Sequence, residues 1–269
     1  MTTDDSFTAL LEYMETDLSF ATSHYNDSYL DRRITARIRR TRCDDYDEYF
    51  DLLQSDPDEQ AALLDSMSIN VTGFFRNPGV WDGIRDVLRT LSSTTDRLEI
   101  WSAACADGRE PYSLSMLAHD DPRIDESAVR ILATDISEDA LEVARNGVYE
   151  ESRTTDIEGE LDYLSNPDRY VEYDSTAETY RVRDSVKERV TFERHDLING
   201  GPKSGFNLVT CRNLFIYIDT EYKRTMLETI ARSLRPDGYL VIGKSETIPP
   251  ALKSEFSATD NRHRIYERT

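Results

Sequence analysis

From residue 98 onward the chain repeats one pattern, a short apolar run, then a turn, then an amphipathic stretch. LEIWSA, VRILATD and FNLVTCR are strand-like, whereas PYSLSMLAH, SEDALEVARNG and DTEYKRTMLETIARSL carry apolar residues at helical spacing. Such alternation predicts an α/β, Rossmann-like domain with a mostly parallel sheet covered by helices. RPDG (235–238) reads as a turn into GYLVIGKSE, and RHRIYER as a last strand running back beside it. Between 150 and 190 the rhythm breaks. RYVEY, TYRVR and RVTFE are short strand-like pieces among turn-formers, which predicts a small antiparallel insertion before the chain returns to the main sheet.

The segment before this pattern is different. Phe7, Leu10, Leu11, Met14 and Leu18 fall at helical spacing, as do Leu30, Ile34 and Ile38. Further helices are expected at 45–53 and 57–67, the second with Asp56 as N-cap and Pro57 at its first position. The expected organisation is an all-helical domain over 1–72 and the Rossmann-like domain over 73–269, including the insertion at 150–190.

A chain of 269 residues can bury a sizeable core without covalent staples. Cys43, Cys105 and Cys211 are far apart and the four histidines are scattered, so neither a disulfide framework nor a metal site is expected. No apolar run approaches the roughly 20 residues of a membrane span, and MTTDDSF does not resemble a leader. A cytoplasmic, monomeric protein without membrane insertion is expected. The net charge of −20 opposes binding to bare nucleic acid. That charge, with only five lysines, also fits a salt-rich cytoplasm where screening tolerates self-repulsion.

Ligands of open parallel sheets bind beyond the carboxyl ends of the strands. WSAACADGRE supplies small residues and Gly108 there, but not the glycines of a pyrophosphate fingerprint, which disfavours a dinucleotide. Asp107 and Glu110 would repel a pyrophosphate and suit a ligand bearing ammonium and sulfonium charges. S-adenosylmethionine is such a ligand. Asp135, ending the second strand, can accept hydrogen bonds from ribose hydroxyls or simply cap the next helix. Asp196 and Leu197 could frame an adenine ring, although an aspartate ending a strand is also common in turns.

The motifs NVTGFFRNP, WSAACADGREPYSLSML, ATDISEDALEVARNGVY, CRNLFIYID and GYLVIGKSE, in this order, resemble the CheR family of chemotaxis receptor glutamate methyltransferases. The resemblance runs from about Tyr25 to the C-terminus. It implies a helical domain before a Rossmann-like one, with a small antiparallel subdomain that contacts the receptor. It further implies methyl transfer from S-adenosylmethionine to glutamates in the cytoplasmic region of chemotaxis receptors, leaving S-adenosylhomocysteine. Cofactor contacts are implied for Asn70, Thr72, Arg76, Glu110, Asp135, Asp196, Leu197, Arg212 and Asn213, and a place near the transferred methyl group for Tyr217. Four positions depart from the family pattern. Asp107 stands for a usual Ser or Thr, Arg109 for a first Glu of GEEPYS, Asp196 for a frequent Asn and Lys244 for a frequent His.

Methyl transfer to a carboxylate needs no general base, because glutamate is already ionised near neutral pH. Alignment and exclusion of water are what such a site must supply. Arg76 suits this task, since a guanidinium holds a carboxylate by two parallel hydrogen bonds. Tyr217 either lines the transfer channel or packs its ring with its hydroxyl in water. Residues 32–42 hold six arginines and no acid, which suggests an acidic partner reached through Arg37 and Arg40, or a solvated face balancing nearby aspartates. The rival functions are a small-molecule methyltransferase of the same fold and a non-catalytic module that binds receptor or S-adenosylmethionine.

Overall fold

Side chains placed just ahead of the second, third and fourth helices set their starts in the N-terminal segment. The computed structural model describes residues 3–67, 72–152 and 155–269. Within it, α1 (Thr3–Thr16), α2 (Asp27–Thr41), α3 (Tyr46–Ser55) and α4 (Pro57–Ser66) follow one another. Asn26 caps α2 through Tyr29 N, Asp45 caps α3 through Glu48 N, and Asp56 caps α4 through Asp58 N and Glu59 N. Leu10, Met14, Leu30, Ile34, Leu53 and Leu63, all fully or almost fully buried, form the core between these helices.

The arginines of α2 are not equivalent. Arg40 is exposed, whereas the Arg37 fork grips Glu59 of α4, with Nε–Oε1 at 2.9 Å and Nη2–Oε2 at 2.5 Å. Tyr49 donates its hydroxyl to the same carboxylate at 2.7 Å. The pair keeps only 14% and 7% of its side-chain surface exposed, so Arg37 is a tie between helices rather than part of an open basic face. Arg37→Ala strands Glu59 and is expected to cost roughly 2–3 kcal/mol, somewhat below a fully buried pair. Arg40→Ala should leave stability within about 0.5 kcal/mol, as at other surface sites. Urea denaturation of the two variants checks the contrast.

The chain divides into two units, Met1–Ile69 with Tyr217–Lys223, and Asn70–Ile216 with Arg224–Thr269. The second unit contains α5 (Pro78–Thr94), β1 (Leu98–Ala103), α6 (Arg109–Asp120), β2 (Val129–Asp135) and α7 (Glu138–Asn146). Then come β3 (Val148–Glu150), α8 (Ile157–Leu161), β4 (Val171–Asp174), β5 (Thr179–Val182), α9 (Asp184–Lys187) and β6 (Val190–Arg194). The chain ends with β7 (Phe206–Cys211), α10 (Thr220–Ser233), β8 (Leu234–Ile242), β9 (Phe256–Asp260) and β10 (Ile265–Arg268), α10 starting within the first unit.

The main sheet runs β6-β2-β1-β7-β8-β10-β9. Its first five strands are mutually parallel, and β10 and β9 are added antiparallel. Strand order reverses between β1 and β7, and a crevice for a ligand opens at such a switch point. The mostly apolar make-up of β1 and β7 is explained by burial on both faces, which removes the alternation of a half-exposed strand.

Three details differ from the sequence expectation. RVTFE is largely β6 of the main sheet, paired parallel to β2, so the small sheet is β3-β5-β4 and starts at Val148. RPDG lies inside β8 as an irregular stretch where the pairing with β7 shifts register, with Asp237 at φ 59° supplying the local bend. β9 escaped the pattern because FSATD is an edge strand with one buried residue at its start. Among the described residues no helix is long and apolar enough to cross a membrane.

Candidate active site

The turn after β1 carries the most constrained backbone near the switch point. Ala104 and Ala106 have φ of 58° and 48°, and Gly108 has φ of 89°. Left-handed alanines are costly and persist only where surrounding contacts impose them. Gly108 is required twice over, because a Cβ there would also lie 2.7 Å from Ala144 Cβ.

Asp135, at the end of β2, supplies one of those contacts. Its Oδ2 accepts from Ala106 N at 2.8 Å and its Oδ1 from Ser137 N at 3.0 Å. Ser137, not Asp135, caps α7, through Ala140 N. The capping role is therefore taken, and Asp135 instead ties the turn to the second strand. Burial raises its pKa, against the backbone N–H groups of Ser137 and Ala106.

The two acids that the sequence offered to a cationic ligand are both paired. Asp107 is held by Arg109 in a fork, with contacts of 3.0–3.2 Å. Arg109 also reaches Glu160 of α8 at 3.5 Å, and Glu160 accepts from Phe74 N at 2.8 Å. Tyr149 donates its hydroxyl to Asp107 O at 2.7 Å. The departures Asp107 and Arg109 thus compensate each other in charge, and link the turn to the insertion.

Glu110 accepts from Ser102 Oγ at 2.9 Å and Thr210 Oγ1 at 2.7 Å, and pairs with Arg212 at 3.2 Å. Arg212 is buried, gives Nη2 to Arg76 O at 2.7 Å and lies over the Trp81 ring. Burial lowers its pKa. Its Nε is buried with no hydrogen-bond partner among the described residues. The negative potential here is therefore weaker than the bare sequence suggests, each acid being offset by an arginine.

The remaining expected residues come from several segments of the chain. Thr72 is half-buried and Arg76 half-buried at the start of the unit, while Asn70 lies outside the described residues. Asn213 has φ of 62° just beyond β7. Asp196 forms a local turn, accepting from Ile198 N, Asn199 N and Asn199 Nδ2, and Leu197 beside it is buried. Tyr217 belongs to the helical unit, where its ring lies 4.9 Å from that of Tyr29 and its carbonyl accepts from Asn26 N.

Sequence reading missed Ser102, Thr210 and Glu160. Ser102 and Thr210 were findable, as polar exceptions at the carboxyl ends of otherwise apolar, doubly buried strands. Glu160 carried no such signal.

A nucleoside with a charged tail fits what these residues offer. A buried carboxylate stands at the β2 end, an unpartnered buried N–H at Arg212, and a turn of small residues lets the backbone approach closely.

Comparison with known proteins bears on the same segments. Residues 70–265 match the family model described as "CheR methyltransferase, SAM binding domain", and residues 5–68 the one described as "CheR methyltransferase, all-alpha domain". The chain is 34% identical to a chemotaxis protein methyltransferase of Listeria monocytogenes serovar 1/2a over 238 residues, covering 86% of each chain. It is 30% identical to chemotaxis protein methyltransferase 2 of Pseudomonas aeruginosa, covering 87% of this chain and 82% of that one. It is 28% identical to a chemotaxis protein methyltransferase of Borreliella burgdorferi, with 91% and 89% covered.

Proposed function

This chain belongs to the CheR methyltransferase family, with S-adenosylmethionine as its cofactor, and from that premise we propose that it methylates glutamate side chains in the cytoplasmic region of chemotaxis receptors, forming methyl esters. The observation that carries this reading is the arrangement at the β1 and β2 ends, the left-handed Ala104–Gly108 turn tied to the buried carboxylate of Asp135. Bound there, S-adenosylmethionine supplies a methyl group on a cationic sulfur.

The chain's own residues then have three tasks. Asp135 accepts from the ribose hydroxyls, and the turn presents backbone groups to the cofactor's amino-acid end. Leu197 offers an apolar surface to the adenine, with Asp196 fixing the turn that carries it. Arg212 and Asn213, beyond β7, and Thr72 ahead of the Phe74–Phe75 pair complete the cofactor contacts of the described residues. Glu110 acts by holding Arg212, Ser102 and Thr210 together rather than as an open anion.

Arg76 orients the acceptor carboxylate or that of the cofactor. No residue must move a proton, because the acceptor is already an anion. Arg40 and the exposed Tyr173 of the small sheet are offered to the receptor. With Arg37 committed to Glu59, charge reversal at Arg40 is the informative variant. It is expected to raise KM for receptor fragments several-fold, as for a charge at the rim of an interface, with S-adenosylhomocysteine affinity unchanged. Steady-state kinetics with calorimetry checks this.

The reading as a whole is tested by incubating the protein with methyl-labelled S-adenosylmethionine and a receptor cytoplasmic fragment. Label released from the fragment as methanol by mild base is the expected result. Transfer only to small molecules, or no transfer, contradicts it.

A further inference from the structure

Glu246 lies in the GKSE segment that follows β8, and none of the roles above employs it. Its side chain is buried, with 3% exposure. One oxygen, Oε2, accepts from two backbone donors, Gly243 N at 2.5 Å and Asn213 N at 3.1 Å. The other, Oε1, makes no hydrogen bond among the described residues. Burial raises the pKa of this carboxyl, while the N–H groups of Gly243, Asn213, Phe215 and Ile216 favour its charged form.

What the carboxylate grips is a strained point of the chain. Asn213 stands in the left-handed region, which a residue with a Cβ disfavours, asparagine less than most. Gly243 closes the arrangement from the other side. A Cβ there would lie 2.7 Å from both Asn213 N and Glu246 Oε2, so only glycine lets the two loops approach. Gly243, Glu246 and Asn213 therefore interlock at the carboxyl ends of β7 and β8, neighbouring parallel strands.

We infer that Glu246 is a positioning residue, which fixes the left-handed backbone at Asn213 and thereby presents the CRN segment to the cofactor. The inference rests on the reading that Asn213 contacts S-adenosylmethionine. A carboxylate suits the task better than an amide. Glutamine could still accept on one atom from Gly243 N and Asn213 N, but without the charge that strengthens those two bonds.

The test uses binding of S-adenosylhomocysteine, followed by calorimetry, together with amide hydrogen exchange. Glu246→Gln is expected to weaken binding roughly tenfold, the worth of one charge-assisted hydrogen bond, and to speed exchange at Asn213 and Gly243 while β1 and β7 stay protected. Asn213→Ala should also weaken binding, and the double variant should bind no worse than the weaker single one, because the two act through one contact. Unchanged affinity in Glu246→Gln, or losses that multiply in the double variant, would overturn the inference. If Asn213→Ala binds as the wild type does, the cofactor role of Asn213 fails instead. Should Glu246→Gln not fold, the wild-type protein still decides. Without ligand, its Asn213 amide is expected to exchange as slowly as those of β7, and exchange at the rate of an open loop contradicts the clamp.

Discussion

Arg76→Ala is expected to lower kcat/KM for receptor methylation by about 10²–10³-fold while leaving the fold intact. The catalytic part follows from what the reaction asks of the protein. With no proton to move, rate depends on holding the acceptor oxygen in line and dry, and loss of one well-placed charged donor in such sites costs about 10²–10³-fold. The structural part follows from how Arg76 is built in. Its carbonyl accepts from Trp81 Nε1 at 3.1 Å and from Arg212 Nη2 at 2.7 Å, and both bonds are backbone contacts that alanine keeps. Its charge also opposes that of the buried Arg212, so removing the side chain relieves one repulsion there. Arg76→Lys is expected to recover little, since an ammonium cannot reproduce a two-point grip on a carboxylate. Single-turnover rates beside thermal melts check both parts. Near wild-type turnover in Arg76→Ala would remove this residue from the mechanism.

The second large effect is expected at Asp135. Asp135→Ala should weaken S-adenosylhomocysteine binding by roughly 10²–10³-fold, because charge-assisted hydrogen bonds to two hydroxyls are lost at about 1.5–3 kcal/mol each, and they are not fully additive. The turn suffers as well, since Ala106 N loses its acceptor. α7 keeps its cap at Ser137, so helix content should hold. pH gives an independent handle. The bound cofactor needs the ionised carboxylate as acceptor, and burial has already raised its pKa. Affinity should therefore fall as pH is lowered, starting above the ordinary aspartate range, and Asp135→Asn should lack that dependence. Calorimetry across a pH series reads both.

What was legible in the sequence is what depends on local pattern. The strands β1, β2 and β7 announce themselves by short, mostly apolar runs, and α4 by Asp56 and Pro57 at its start. The position of Asp135 at a strand end was enough to single it out. What was not legible depends on which distant groups meet. Glu110 read as an open anion, but Ser102 comes to it from the end of β1, and Thr210 and Arg212 from the end of β7. Arg37 read as part of a basic face because Glu59, its partner, sits two helices away. Asp107 and Arg109 are near neighbours and each was noted as a departure, yet their mutual fork appears only once the turn is bent. Glu246 was passed over for a related reason. Its use is to satisfy backbone donors of another loop, and no periodicity marks that.

The identity of the acceptor atom is the measurement that bears most directly on this account. A receptor cytoplasmic fragment, incubated with the protein and S-adenosylmethionine, can be digested and its modified peptides sequenced by tandem mass spectrometry. The added methyl group is expected on glutamate side chains, removable by mild base, and absent when Arg76→Ala replaces the wild type. A methyl group found on another residue type, or a fragment left unmodified by a protein that binds S-adenosylhomocysteine normally, would contradict the proposed function while leaving the cofactor site standing.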